Sequence, residues 1–290
     1  VIHALPTASI AALNLCHGNT TNFSANSSIS NGAITSYAWN FGDGNTSTLP
    51  NPSQQYSNAG NYITSLTLTS NQNCSRTFSS AVTINPLPLV VFSASNVCHG
   101  NNTQFTNSSS IASGSINSYT WTFGNNGSSP FIHPAITYAN SGNYLVTLSA
   151  KSNFNCVGTA TNNLVIHPNP VISFSVSKVC FGDTTVFTNN NTISGGSIVL
   201  FNWAFGDGNT SNAVTPTHMY QSYGNKTVIL TANSDQNCSS SFTSNVMINP
   251  LPVLSFVANN VCHGIASSFV NSSSVPAGSI SNWVNKTAGD

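Results

Sequence analysis

The chain has 290 residues, of which only 3% are charged, and its five basic and five acidic side chains give a formal net charge of zero. There is no basic patch for a nucleic acid backbone, and no apolar run reaches the roughly 18 residues that a membrane helix needs. Although Ser, Thr and Asn make up 120 residues, an apolar fraction of 39% with 10% aromatic residues indicates packed cores rather than disorder.

An internal repeat with a strict period runs through the whole chain. The opening VIHALP at 1–6 matches TINPLP at 83–88, which closes a unit. The same step of 82 relates four prolines and three tryptophans, at Pro6, Pro88, Pro170 and Pro252 and at Trp39, Trp121 and Trp203. It also relates the cysteines in two series, one at Cys16, Cys98, Cys180 and Cys262 and the other at Cys74, Cys156 and Cys238. A period held this strictly indicates a tandem array. It predicts the last strand of a preceding repeat at 1–6, repeats at 7–88, 89–170 and 171–252, and an incomplete repeat at 253–290.

This division places both ends of the sequence inside a repeat. We interpret the chain as a segment of a longer array. The alternative is a subunit whose two incomplete ends complete each other in a polymer by strand donation.

The strands of one unit can be followed through 89–170. Tyr119, Trp121 and Phe123 alternate on one face, and Val146 and Leu148 share a face of a later segment. Ser, Asn, Gly and Pro clusters separate the segments, and no helical periodicity of useful length is present. The predicted strands are LVVFSAS at 89–95, TQFTN at 103–107, SYTWTF at 118–123, NYLVTLSA at 143–150 and LVIHP at 164–168. Several short strands with a central Trp predict a two-sheet β-sandwich of immunoglobulin-like type in each repeat.

The joints between repeats read NPLP, HPNP and NPLP. Proline fixes φ and favours extended backbone, so these joints are predicted to be short and stiff. Stiff joints between elongated sandwiches would make a rod.

Each full unit carries two cysteines at the same spacing. We predict one disulfide in each repeat, Cys16–Cys74, Cys98–Cys156 and Cys180–Cys238, with Cys262 left without a partner in this sequence. A bond that closes such a loop stabilises the fold by about 4 kcal/mol in the chain-entropy model. It also implies an oxidising, extracellular compartment. Buried free thiols are the alternative, whereas zinc spacing such as Cys-x-x-Cys is absent.

The segment YAWNFGDGNTS at 37–47, with the sequence that follows it, resembles the polycystic kidney disease (PKD) repeat. The first repeat carries that signature at Trp39, Phe41, Gly42, Asp43, Gly44, Pro52, Tyr56, Gly60 and Tyr62. The resemblance implies an immunoglobulin-like sandwich used as a spacer, adhesin segment or appended module in secreted and cell-surface proteins. The sequence departs from the signature at Asn125, which replaces Asp, at Lys226, which replaces Tyr, and after Trp283, where FGDG is missing.

Asp43 and its equivalents Asn125 and Asp207 are interpreted as structural turn residues. Asn and Asp share turn chemistry but not charge, so a calcium site or a general acid is the weaker alternative. A similar comparison applies to His17, His99 and His263, because Phe181 replaces His in the third repeat. We interpret these positions as packed rings rather than metal ligands, and we predict no cofactor, no metal and no catalytic residue.

An ion-poor surface with sheet edges needs protection from edge pairing, and covalent glycans would supply it. Fourteen Asn-x-Ser/Thr sequons are candidates, although chance alone gives about eleven in a chain with 43 Asn and 77 Ser plus Thr. They are Asn19, Asn22, Asn26, Asn45, Asn73, Asn101, Asn107, Asn126, Asn190, Asn209, Asn225, Asn237, Asn271 and Asn285.

The sequence therefore favours a non-enzymatic, extracellular structural protein. We expect a glycosylated fibre or surface stalk for adhesion or matrix building, whose partners are glycans and further repeats or copies of the chain. One alternative is a set of accessory or spacer modules of a secreted hydrolase. Another is a sugar- or ice-binding surface, which would need an exposed row of aromatic or Thr side chains.

Overall fold

The computed structural model describes residues 2–177 and 179–282. Over these residues the regular structure is β-strand throughout, without a helix. This confirms the predicted all-β fold of tandem immunoglobulin-like sandwiches. The sequon at Asn285 and the departure after Trp283 lie outside the described residues.

The chain divides into two compact units. The first unit contains the chain up to Asn96 together with Asn102–Tyr138 and Asn143–Val165. The second unit contains Val97–Asn101, Ala139–Gly142 and the chain from Ile166 onward. The first repeat therefore belongs to the first unit and the third repeat to the second, whereas the second repeat contributes strands to both.

The first repeat has a five-stranded sheet, in the order β2-β9-β8-β5-β6, and two further pairs, β1-β4 and β3-β7. All pairings are antiparallel except that of β2 with β9. The strands are β1 (Thr7–Ala11), β2 (Leu15–Cys16), β3 (Thr20–Asn22), β4 (Ser24–Ser28), β5 (Ile34–Asn40), β6 (Thr46–Ser47), β7 (Ser53–Gln55), β8 (Gly60–Ser70) and β9 (Ser75–Asn85).

The second repeat keeps the same order of strands. In the first unit β18, β17, β14 and β15 are neighbours in one sheet, and β12-β16 and β10-β13 form pairs. In the second unit Val97 and Cys98 of β11 run parallel to Ile166 and His167 of β18. The strands are β10 (Phe92–Ser93), β11 (Val97–Cys98), β12 (Asn102–Gln104), β13 (Thr106–Asn107), β14 (Ile116–Thr122), β15 (Ser128–Ser129), β16 (Ala135–Thr137), β17 (Gly142–Ser152) and β18 (Val157–His167).

The third repeat has a four-stranded sheet, β22-β21-β24-β25, and a three-stranded sheet, β19-β20-β23. A parallel bridge between Cys180 and Asn249 stands where the first two repeats have β2 and β11. The fourth repeat contributes one described antiparallel pair, β26-β27. These strands are β19 (Phe174–Ser177), β20 (Thr184–Asn189), β21 (Ile198–Ala204), β22 (Thr210–Ser211), β23 (Thr217–Met219), β24 (Gly224–Ser234), β25 (Ser239–Ile248), β26 (Phe256–Ala258) and β27 (Phe269–Asn271).

Each complete repeat has an aromatic core around its tryptophan. Trp39 is buried between the sheets with Phe23 at a ring distance of 5.6 Å, and its Nε1 donates a hydrogen bond to the Leu49 carbonyl oxygen (2.9 Å). The hydroxyl of buried Tyr56 donates to the Phe41 carbonyl oxygen at 3.2 Å. Both polar tips are satisfied, so the rings are buried without an unpaired donor. The other two cores repeat this set at Trp121, Phe105 and Tyr138 and at Trp203, Phe187 and Tyr220.

The predicted strand at 103–107 is interrupted in the structure. The amide of buried Phe105 donates to the Pro134 carbonyl oxygen, and strands β12 and β13 on either side of it pair with different partners. The last predicted strand of the unit is longer than expected, because β18 already begins at Val157. Its polar first half, VGTATNN, lacks the apolar alternation by which a strand is recognised.

Candidate functional site

The disulfides join consecutive repeats, and the predicted pairing within each repeat is wrong. Cys16 is bonded to Cys156, and Cys98 is bonded to Cys238. Each bond has a sequence separation of 140 residues and a Cα–Cα distance of 5.5 Å. Within the described residues, three cysteines are free, namely Cys74, Cys180 and Cys262. Each bond lies within one compact unit, the first in unit one and the second in unit two.

The length of strand β9 explains why Cys16 cannot reach Cys74. Cys16 pairs with Asn85 at the end of β9, whereas Cys74 immediately precedes the first residue of that strand. Eleven residues of strand place the two cysteines about 35 Å apart at roughly 3.3 Å per residue. A disulfide needs a Cα–Cα distance below about 7 Å. The cysteine that lies close enough to Cys16 is the one at the hairpin of the following repeat.

The first cysteine of each repeat is held by a short parallel bridge. In the first repeat the amide of His17 donates to the Asn85 carbonyl oxygen (2.8 Å), and His99 makes the equivalent bond to His167 (2.8 Å). The His17 ring contacts the Ser57 carbonyl oxygen through Nε2 at 3.0 Å. This histidine is half-buried and engages a backbone oxygen, so its geometry is that of a packed ring.

The second cysteine of each repeat sits at the tip of the longest hairpin. In the second repeat the Cys156 amide donates to the Ser152 hydroxyl (3.1 Å), and the Ser152 amide donates to the Cys156 carbonyl oxygen (2.8 Å). Asn155, between them, has a φ of 63°, a left-handed conformation that Asn tolerates. The tip is therefore a tight, self-bonded turn that presents the cysteine to the joint.

The three predicted turn residues make the same backbone hydrogen bond. Asp43 accepts from the amide of Asn45 (3.0 Å), Asn125 from the amide of Gly127 (3.0 Å), and Asp207 from Asn209 (3.1 Å). An amide oxygen serves as well as a carboxylate oxygen in this position. The hydrogen bond to an amide two residues further on is the geometry that a turn residue requires, and the structural role of the three residues stays a prediction.

The second carboxylate oxygen binds a neighbouring strand where Asp is present. Oδ2 of Asp43 accepts from Gln54 Nε2 at 2.6 Å, and Oδ2 of Asp207 lies 2.7 Å from His218 Nε2. In the second repeat, the position equivalent to Gln54 is Ile136. Burial raises the pKa of the Asp207 carboxyl, but the hydrogen bonds from His218 and Asn209 outweigh it and hold that pKa below its ordinary value. The charged Asp207 carboxylate therefore links the turn between β21 and β22 to strand β23.

Two buried tyrosines have strongly raised pKa values. Burial, with a smaller contribution from the neighbouring Tyr144, raises the pKa of Tyr138 to about 12. Burial and, to a lesser degree, Asp207 raise the pKa of Tyr220 to about 12. Their hydroxyls donate to the backbone carbonyl oxygens of Phe123 and Phe205. These groups act as protonated core donors and not as bases.

A groove of about 570 Å³ lies in the first unit. Its lining brings together the first repeat, through Asn14, Ala59 and Asn61, and the second, through Ala112 and Phe154. Amide, hydroxyl and apolar side chains line it, without a carboxylate, thiol or imidazole among the lining residues. Over 2–177 and 179–282 there is also no cluster of three or more His, Cys, Asp or Glu side chains that could hold a metal ion.

The sequon asparagines lie at the surface of the described chain. Asn107 is half-buried, and its side-chain oxygen accepts from the Ser109 amide. The other described candidates are exposed, at Asn19, Asn22, Asn26, Asn45, Asn73, Asn101, Asn126, Asn190, Asn209, Asn225, Asn237 and Asn271. Exposure makes side chains accessible to modification, and glycosylation of these residues remains a prediction.

The fold and the disulfides define a tandem repeat protein of immunoglobulin-like sandwiches. The PKD domain family matches it three times, at residues 3–85, 85–166 and 167–250. The chain belongs to the PKD domain family, whose immunoglobulin-like domains are non-catalytic. No helix in the described residues is long and apolar enough to cross a membrane.

Similar proteins come from several Vibrio species. A microbial collagenase of Vibrio alginolyticus is 41% identical over 85 residues, which is 29% of this chain and 10% of that protein. The pre-pro-metalloprotease PrtV of Vibrio cholerae is 28% identical over 143 residues, 49% of this chain and 16% of that protein. The chain therefore spans a small share of both relatives.

Among solved structures, the PKD1 domain of Vibrio anguillarum Epp is 29% identical to this chain, with a TM-score of 0.27. The match covers 29% of this chain and 96% of that domain. The PKD1 domain of the Vibrio cholerae metalloprotease PrtV is 31% identical, with a TM-score of 0.25, covering 29% of this chain and 98% of that domain.

Proposed function

We propose that this chain is a structural segment of an extracellular repeat protein, in which disulfides between consecutive PKD repeats fix the joints of a rigid stalk or fibre. The stalk serves adhesion or matrix building. The observation that carries this proposal is the pairing of Cys16 with Cys156 and of Cys98 with Cys238. A disulfide inside a sandwich would only stabilise that sandwich, whereas one between sandwiches restricts how they move.

Each joint of this kind has two covalent connections. One is the backbone through the proline pair, where Pro88 and Pro170 are buried. A Cβ atom at Gly158 would overlap the Pro88 carbonyl oxygen, so the linker packs closely on strand β18. The other connection is the disulfide. Two separate attachments, of which one is a packed proline segment, oppose the hinge motion that a single flexible linker allows.

The disulfides also favour an extracellular location. Structural disulfides persist in oxidising compartments and are rare in the cytosol. A chain with 3% charged residues lacks the surface charge that normally opposes association. Covalent glycans on exposed Asn, Ser or Thr side chains, or neighbouring copies of the chain, would cover that surface. An intact mass equal to that of the bare polypeptide, measured on material from the native source, would exclude the glycans.

The stiffness of the joints can be tested by small-angle X-ray scattering of the 290-residue chain. We expect the oxidised chain to show a narrow distribution of interatomic distances and the double variant Cys16→Ser, Cys98→Ser a broader one. The variant Cys74→Ser is the matched control, because Cys74 is free. Identical distributions for the oxidised chain and the double variant would show that the disulfides do not govern the joints.

Location requires a separate measurement on the native source. Antibodies raised against the third repeat should label intact cells or their surrounding matrix without permeabilisation. Labelling that requires permeabilised cells would contradict an extracellular stalk.

The second candidate function is a set of accessory modules of a secreted hydrolase. The observation that favours it is the similarity to proteins named collagenase and metalloprotease. Co-sedimentation of the purified chain with insoluble collagen distinguishes the two candidates. Saturable binding would support accessory modules that bring an enzyme to its substrate, whereas a stalk segment is expected to stay in the supernatant.

A further inference from the structure

We infer that Cys180 and Cys74 each form a further inter-repeat disulfide, and that the partner in each case is a cysteine of another PKD repeat on the same polypeptide. Cys180 would be bonded to the hairpin cysteine of the repeat that follows the third. Cys74 would be bonded to the first cysteine of the repeat that precedes the first. This inference rests on the two observed disulfides and does not depend on what the array is used for.

The backbone around Cys180 already has the conformation of the paired first cysteines. Cys180 forms a parallel bridge with Asn249, and the amide of Phe181 donates to the Asn249 carbonyl oxygen at 2.8 Å. Cys16 and Cys98, which are both disulfide-bonded, make the same bridge and are followed by the same 2.8 Å hydrogen bond. Pairing would therefore require no rearrangement of the strand that carries the thiol.

The backbone around Cys74 likewise has the conformation of the paired hairpin cysteines. The Cys74 amide donates to the Ser70 hydroxyl (3.3 Å), and the Ser70 amide donates to the Cys74 carbonyl oxygen (3.0 Å). Asn73 has a φ of 60°. The bonded hairpins at Cys156 and Cys238 share this arrangement. The difference is burial, because Cys156 is 0% exposed and Cys238 1%, whereas Cys74 is only half-buried.

Two aromatic side chains, the half-buried Phe181 and the exposed Tyr223, lie next to Cys180. Phe181 and Tyr223 meet edge-to-face with a ring distance of 6.4 Å, and Tyr223 is 51% exposed. In the first repeat the position equivalent to Tyr223 is Ala59, which lines the groove together with Ala112 and Phe154 of the following repeat. Tyr223 thus occupies the position that faces a following repeat. Aromatic rings of this kind are enriched where protein surfaces dock.

The bond forms by thiol–disulfide exchange with a low-molecular-weight disulfide such as oxidised glutathione. One thiolate attacks a sulfur of that oxidant, forms a mixed disulfide and releases one glutathione thiolate. The second cysteine then displaces the remaining glutathione and closes the protein disulfide. Two protein thiols are oxidised, and one oxidant molecule is reduced to two thiols.

The first test replaces residues 253–290 by a copy of 171–252, which supplies a complete following repeat. In that copy alone the change Cys180→Ser is made, because the copied cysteine would stay unpaired in a peptide identical to that of the original Cys180. After refolding in a glutathione redox buffer, free thiols are alkylated and proteolytic peptides are mapped by mass spectrometry without reduction. We expect loss of alkylation at Cys180 and a cross-linked peptide that joins Cys180 to the hairpin cysteine of the added repeat. The matched control carries Ser at that added hairpin cysteine and should restore alkylation of Cys180.

The second test places a copy of residues 7–82 before Val1, which supplies the preceding repeat. In that copy alone the change Cys74→Ser is made, because the copied cysteine would stay unpaired in a peptide identical to that of the original Cys74. We expect Cys74 to lose alkylation and to be linked to the first cysteine of the added repeat. This extended chain is independent of the first, so a folding failure in one leaves the other informative. The Cys16–Cys156 peptide reports correct folding in both.

Two outcomes would overturn the inference. In one, both extended chains contain the Cys16–Cys156 bond but keep Cys180 and Cys74 fully alkylated. In the other, Cys180 is linked to Cys74 of a second molecule, which a disulfide-linked dimer on a non-reducing gel would reveal. That result would assign the thiols to assembly of separate copies rather than to one continuous array.

Discussion

The inter-repeat disulfides should limit how far the chain extends under force. The two loops overlap in sequence, because Cys98 lies between Cys16 and Cys156, and Cys156 lies between Cys98 and Cys238. In the reduced chain the covalent path runs through every residue from Cys16 to Cys238. In the oxidised chain the shortest covalent path crosses from Cys16 to Cys156, returns along the backbone to Cys98 and crosses to Cys238. At about 3.4 Å per residue these paths measure about 750 Å and about 200 Å.

Single-molecule force spectroscopy on the chain held at its two ends measures this difference directly. Full unfolding of the reduced chain should release about 550 Å more than full unfolding of the oxidised chain, since each disulfide adds only a few ångströms. The single variants Cys16→Ser and Cys98→Ser each leave one disulfide and a backbone path of one full repeat. At about 3.4 Å per residue, both should therefore extend about 80 Å further than the oxidised chain.

The variant Cys74→Ser is the decisive control. Cys74 takes no part in the observed bonds, so its removal should leave the extension of the oxidised chain unchanged. If instead the cysteines paired within repeats, losing Cys74 would open the loop that starts at Cys16 and add about 200 Å at about 3.4 Å per residue. An increase of that size would refute the inter-repeat pairing and the reasoning built on it.

The remaining predictions concern the core and the turn residues. Leu148→Ala should lower the free energy of unfolding by about 2–5 kcal/mol in a denaturant titration, because Leu148 is fully buried, whereas Leu145→Ala on the 57% exposed face should change it by less than about 1 kcal/mol. Asp207→Ala should lower the free energy of unfolding by about 1–2 kcal/mol, and Asp207→Asn should lower it by less, because Asn125 makes the same hydrogen bond to a backbone amide. Equal losses in the two variants would contradict the turn role. Because the pKa of Asp207 is lowered in the folded protein, its carboxylate stabilises the fold above the unfolded value of 3.8, and this stabilisation is lost as pH falls through the folded value. The free energy of unfolding of the Asp207→Asn variant should therefore lack this loss when it is measured against falling pH.

The sequence predicts the fold well because the signals are local and repeated. Alternation at Tyr119, Trp121 and Phe123 places the central strand, and its step of 82 identifies the same strand in each repeat. The interruption at Phe105 was not predictable. The residue continues the alternating pattern, and only its bond to Pro134, which lies far along the chain, shows that the strand changes partners.

The pairing of the cysteines could not be read from the period. For Cys16, a partner at Cys74 and one at Cys156 differ by a single repeat, so both satisfy the same periodic spacing. What decides between them is the length of β9, which separates the two cysteines of a repeat by its full extent. The equivalent strand of the second repeat, β18, begins with the polar sequence VGTATNN, which has no apolar alternation from which a strand could be predicted. Recognition of the long β8–β9 hairpin would have excluded the bond within the repeat.

The free cysteine of the first repeat shows what the disulfides stabilise. The hairpin at Cys74 keeps the Ser70 hydrogen bonds and the left-handed Asn73 without any disulfide. The first core is also complete, with Trp39 and Tyr56 buried and their polar atoms bonded to backbone oxygens. Hairpin and core therefore take their form without a bond at Cys74.

An inter-repeat bond closes a loop of 140 residues, which restricts the unfolded chain by about 5 kcal/mol in the chain-entropy model. In the folded chain the same bond joins two sandwiches, so it also restricts the joint between them. A restricted joint is what the proposed stalk requires.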